Sequence, residues 1–155
     1  MEIESKIVGR LKPSEFDADF YTSEPFEIPY FDNIKMKIGF VEAKHGPYLE
    51  QADKTLRAFL SLNAVNRIQD SERVYKYYHE TLKHGYTKPL TVKTSSEIWN
   101  HVSPGEIIID WNEHGEFYLC VSCGCDWEEE HGLQLVFKDG ETLTRASGHD
   151  GHYTD

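Results

Sequence analysis

Residues 120 to 133, CVSCGCDWEEEHGL, hold every cysteine of the chain together with four carboxylates, a tryptophan and a histidine. The spacing of Cys120, Cys123 and Cys125 is C-x-x-C-x-C, and His131 could complete a four-ligand zinc site. Strand geometry opposes that grouping. Side chains alternate along an extended strand, so Cys123 and Cys125 share a face with Phe117, Leu119 and Val121, while Cys120 points the other way with Tyr118 and Ser122. A bulge at Gly124 would shift only the residues after it. No second cysteine pair is present to build a zinc knuckle. The cysteines are therefore expected to be buried free thiols in a reducing compartment. The alternative is a metal site from Cys123, Cys125 and His131, or one at the Asp126–His131 corner joined by His149 or His152.

Nucleophilic thiol chemistry needs an adjacent base and a lowered pKa. Mid-strand cysteines among large apolar residues are expected to have raised values instead. Glu130-His131 could be half of an acid/base pair, but no second half is visible, and no phosphate loop, H-E-x-x-H, G-x-S-x-G or EF-hand spacing occurs. Successive glutamates do not converge on one point as calcium requires. Asp126, Glu128, Glu129 and Glu130 thus read as a solvated acidic bend that a basic partner could contact. Trp127, His131 and Gly132 read as its structural corner, the indole packed over it and the imidazole satisfying backbone groups.

The elements that would carry this stretch can be traced from periodicity. Ile3, Ile7 and Val8 precede Pro13, Phe26, Ile28 and Tyr30 alternate, and IKMKIGFV (34–41) sets Ile34, Met36, Ile38 and Phe40 opposite Lys35 and Lys37, all strand patterns. After Pro47 the period becomes helical, with Leu49, Ala52, Leu56, Phe59 and Leu60 on one side. A second helix is expected from a cap at Asp70 or Ser71, through Val74, Tyr78, Thr81 and Leu82, to Gly85. A loop follows over 86–94, then a short helix over 96–103 with Trp99 inward. Strands 106–111, 116–127, 131–137 and 141–147 complete a meander. Its Asp139-Gly140 pair predicts a two-residue turn that sets Lys138 opposite Glu141 and Val136 opposite Leu143.

The fold expected is a single α+β domain over residues 1–155: an antiparallel sheet with a C-terminal four-strand meander and two main helices packed on it, the tail 148–155 fraying. The 155 residues suffice for one core, which at this size buries roughly 70% of the unfolded surface. Twenty-seven acids against 16 bases give a net charge of −11. That balance argues against non-specific nucleic-acid binding, which needs cations to displace counterions, and leaves a basic protein partner open. No apolar run approaches the ~18 residues of a membrane span, and the first 13 residues lack the apolar core of a signal peptide. A cytoplasmic protein is expected, with no cofactor.

CDWEEEHGLQLVFKDGETL (125–143), together with IPYFDNIKMKI, LRAFLSLN and VYKYYHE, resembles a bacterial family of domains of unknown function. The matching positions are Trp127, Glu130, His131, Gly132 and Leu133. The resemblance covers most of the chain and brings no activity with it. Small acidic proteins of this type resemble immunity proteins, which bind and block a secreted toxin, and many toxin domains are basic. The resulting expectation is a non-catalytic protein-binding protein. The second reading is a metal-binding or metal-dependent domain using the Asp126–His131 corner, and the third an enzyme whose cleft residues come from distant segments.

Overall fold

A computed structural model describes residues 2–85 and 87–155. The loop expected over 86–94 therefore begins at a residue outside the described ones. Eight strands form one sheet, in the order β1 (Ile3–Ser5), β2 (Gly9–Pro13), β3 (Tyr21–Thr22), β6 (Ile38–Phe40), β7 (Val102–Trp111), β8 (Phe117–Cys125), β9 (Leu133–Lys138) and β10 (Thr142–Ser147). β4 (Phe26–Ile28) and β5 (Ile34–Met36) form a separate ribbon. All pairs are antiparallel except β6 with β7, which run parallel because the helices lie between them in the chain. The α+β class and the C-terminal meander stand as the periodicity predicts.

The helices are α1 (Gly46–Leu60), α2 (Ala64–Gln69) and α3 (Ser71–Lys83). In α1 Pro47 occupies the first turn and Nδ1 of His45 accepts from Tyr48 N, while Ala52, Leu56 and Phe59 are fully buried. The six residues of α2 escape the periodicity because none is buried; an Asn63–Asn66 capping box fixes the start. Asp70 precedes α3 as expected but does not cap it. Its carboxylate instead accepts from the Tyr30 hydroxyl at 2.8 Å.

Three local expectations change. The run 34–41 breaks at Lys37 into β5 and β6, in different sheets; Ile34 is exposed, and β6 is covered on both faces, with Phe20 lying over Gly39. The short helix is a 3-10 turn, Ser95–His101, that buries Ile98 fully. Trp99 is only half-buried, its indole N–H donating to Arg67 O and to Ser71 Oγ. At the β9–β10 hairpin both Asp139 and Gly140 have positive φ, yet Glu141 joins the turn, so Lys138 faces Thr142 and Phe137 faces Leu143. Gly140 lies against α1, where an added Cβ would collide with Thr55 O. Lys138 pairs with Glu116 at 3.3 Å, in place of Glu141.

The core lies between the helices and the face carrying Phe117, Leu119, Val121, Cys123 and Cys125. The other face carries Tyr118, Cys120 and Val136 and is covered by Tyr153, stacked on Tyr118 with 5.3 Å between ring centroids. The tail expected to fray is therefore tied down. Gln134 Nε2 donates to His152 O, Arg145 pairs with Asp150 and Asp155, and the Tyr153 hydroxyl donates to Asp110. None of the described helices is long and apolar enough to cross a membrane.

Candidate functional site

The corner between β8 and β9 is built from the opening stretch. Strand parity places Cys123 and Cys125 inward and Cys120 on the opposite face, as alternation requires, and all three thiols are free and buried. Burial pushes Cys120 up to about 12, with Asp110 adding to it, and Cys125 up to about 11. Cys123 is raised further by the same cause. Thiols held protonated in this way are poor nucleophiles and poor metal ligands.

Trp127 is 1% exposed and packs edge-on against Tyr77 and Tyr78 of α3. Its Nε1 is buried with no hydrogen-bond partner among the described residues. Gly132 takes φ +64, and a Cβ there would lie 2.7 Å from Cys123 O, so only glycine closes the bend. Of the four acids expected in solvent, Glu128 is not. Its side chain is 10% exposed and accepts from the backbone N–H of Glu130 and His131 and from His131 Nδ1, at 3.1, 3.2 and 3.0 Å. The reason is local: at a tight bend the amides at positions 130 and 131 point inward and need an acceptor.

These bonds, the imidazole's first, hold the Glu128 carboxyl below its usual range, and the carboxylate in turn raises His131. The imidazole therefore serves Glu128, in place of the backbone groups first expected. Asp126 accepts from His101 at 2.8 Å, Glu129 pairs with Lys88, and Glu130 is exposed. The corner thus presents Asp126, Glu129 and Glu130.

Cys123, Cys125 and His131 do not converge, since the thiols face the core and the imidazole is 62% exposed. No three His, Cys, Asp or Glu side chains among the described residues are arranged to hold a metal ion. His149 instead bonds Ser122 Oγ through Nε2 at 3.0 Å, and the backbone carbonyl of His152 accepts from Gln134 and Arg145. Among the described residues no carboxylate bonds the other nitrogen of His149, so Ser122–His149 lacks the orienting third member of a triad.

A larger acidic surface lies at the opposite end of the sheet, where β2, β6, β7 and β9 all finish. Four connections meet there: 14–20, 41–45, 112–116 and 139–141, the last entered from Lys138 of β9. They carry Glu15, Asp17 and Asp19; Glu42; Glu113 and Glu116; Asp139 and Glu141, against only Lys44 and Lys138 as lysines. Physical contacts join the four. Ala43 N donates to Asp19 O at 3.1 Å, the His45 ring lies 5.3 Å from Trp111 at the end of β7, and Glu116 pairs with Lys138 at the end of β9.

At the first connection Phe16 is 97% exposed. Ser14 Oγ accepts from Phe16 N and Asp17 Oδ1 accepts from Asp19 N, while Ser14 N donates to Phe20 O, so the loop is a closed turn with the ring on its outside. The turn thus holds one large apolar side chain fully in water, flanked in sequence by Glu15, Asp17 and Asp19. Sequence reading misses this rim because its acids come from four segments; the one local signal was the lone phenylalanine in SEFDAD.

Fold and surfaces together define a small α+β protein with carboxylates gathered at both ends of its large sheet. The chain belongs to the family described as Domain of unknown function (DUF6985), whose model matches residues 7–153. No curated protein and no solved structure matches it.

Proposed function

We propose that the chain is a non-catalytic protein-binding protein that takes a cationic protein partner on the rim formed by residues 14–20, 41–45, 112–116 and 139–141. The observation that carries this reading is the fully exposed Phe16, held on a closed turn among the rim's carboxylates. Each component has its role. The carboxylates steer a basic surface into place and raise the association rate, and the aromatic ring, once desolvated in an apolar pocket between the partner's lysines or arginines, slows dissociation. Asp126, Glu129 and Glu130 form a second acidic surface at the other end of the strands, and Glu128 acts as a structural acceptor.

Within this reading the chain is a bacterial immunity protein, kept in the cytoplasm, that binds and blocks a secreted basic toxin. Its net charge of −11 supports such a role, since the inhibitor of a cationic protein gains from opposite charge. The test is co-expression with basic proteins encoded beside it. Growth arrest by one of them should be relieved by this chain and restored when Glu15, Asp17 and Asp19 are all changed to Lys. Failure to relieve any such arrest would refute the immunity role.

A further inference from the structure

On this acidic protein, cations gather at a second place. One of the two edges of the large sheet is β10, and beside it runs a groove of about 350 Å³ between that strand and α3. Thr144, Arg145, Ala146 and Ser147 form the strand side, Arg73, Lys76 and His84 line the helix side with Glu80, and Asp155 lies at the margin. Lys76 makes no ion pair among the described residues, and Arg73 Nη1 donates to the backbone carbonyl of Thr144 at 3.2 Å. Thr144 is the residue skipped at the bulge between Leu143 and Arg145, so its carbonyl is turned toward the helix. The guanidinium therefore occupies an acceptor of the edge strand that the β9–β10 ladder leaves out of register. Arg145, by contrast, is neutralised by Asp150 and Asp155.

An unpaired edge strand walled by a helix is the geometry in which an extended peptide adds to a sheet through its backbone, with selectivity set by the flanking side chains. Here those side chains include the cations Arg73 and Lys76, with Glu80 the carboxylate between them and His84 on the helix side. We propose that the β10–α3 groove docks an extended acidic peptide, which pairs with the backbone of β10 and sets its carboxylates against Arg73 and Lys76. Strand addition would displace Arg73 from Thr144 O and free its guanidinium for a ligand carboxylate, so one donor exchange couples backbone pairing to charge recognition. The groove takes acidic ligands and the rim basic ones, so this inference stands independently of the proposed function.

The test uses the full chain and a synthetic peptide of alternating glutamate and valine, six residues long with blocked ends. Calorimetric titration and amide spectra should show binding, with shifts confined to β10 and α3. The same peptide N-methylated on alternate backbone nitrogens keeps its charge but cannot pair, and should bind at least tenfold more weakly. Lys76→Glu, which touches no internal contact, and the double change Arg73→Glu with Lys76→Glu should each weaken binding, the double change more. Absence of binding, or shifts elsewhere, would overturn the proposal. Equal affinity for the N-methylated peptide would overturn strand addition, because charge alone would then account for the binding.

Discussion

Replacing Glu128 by Gln tests the corner through the pH dependence of stability. The carboxylate is largely buried and accepts two backbone N–H bonds and one imidazole bond. A glutamine side chain at this position would keep one neutral acceptor and place an amide donor near those same donors. Hydrogen bonds to an ionised group contribute roughly 1.5–3 kcal/mol, and the imidazole side is screened by solvent, so the loss should be about 2 kcal/mol at its maximum. The position of that maximum follows from the two shifts. Glu128 titrates below its unfolded value, so its contribution is complete above about pH 4.3 and fades as pH falls through the folded value. His131 titrates above its unfolded value, so its contribution is complete below about pH 6.5 and fades as pH rises through the folded value. The stability difference between the parent chain and the variant should therefore peak near pH 5.5 and shrink on both sides. With a urea dependence of about 2 kcal/mol per molar, the midpoint should move by about 1 M at the peak. Urea titrations from pH 4 to 8.5 measure this. A difference that is flat with pH, or a variant as stable as its parent at pH 5.5, would refute the assignment of Glu128 as the acceptor that closes the bend.

Other positions give independent checks. Gly140→Ala combines a positive φ with a clash against Thr55 O and should cost more than about 2 kcal/mol, read as a lowered thermal midpoint. The three thiols should react with a disulfide reagent at pH 8 only on the timescale of unfolding, and all three should react at once in denaturant; rapid labelling of the native protein would contradict their burial. Tyr153→Ala removes the ring stacked on Tyr118 and uncovers Cys120 and Val136, so it should destabilise the fold by about 2 kcal/mol and speed the labelling of Cys120. Phe16→Ser should leave the unfolding midpoint unchanged, since the ring is already in water, with a stability change inside about 0.5 kcal/mol.

What could be read in the sequence was what depends on local period. Alternation alone separated Cys120 from Cys123 and Cys125, and the 3.6-residue spacing of Ala52, Leu56 and Phe59 located α1 and its buried side. What could not be read depends on contacts between distant segments. The Asp139-Gly140 pair announces a turn, but Glu141 joins it, Gly140 sits against Thr55 of α1, and the register moved by one residue. Asp70 has the right type and place to cap α3, yet a hydroxyl forty residues upstream offered a better partner. Glu128 looks identical to Glu129 and Glu130 in a row of acids, and only the folded bend shows which of them turns inward. The rim is the extreme case, because four connections had to be brought to one end of the sheet before its carboxylates had any relation to one another.

The most direct measurement of the central claim is calorimetric titration of the full chain with any basic protein that the co-expression test identifies, repeated with two sets of variants. A one-to-one complex is predicted, weakened at least tenfold by Phe16→Ser and by reversal of Glu15, Asp17 and Asp19, weakened further by added salt, and unaffected by reversal of Asp126 and Glu129. A complex that tolerates the rim changes but is lost when Asp126 and Glu129 are reversed would place the interface at the corner and contradict the account.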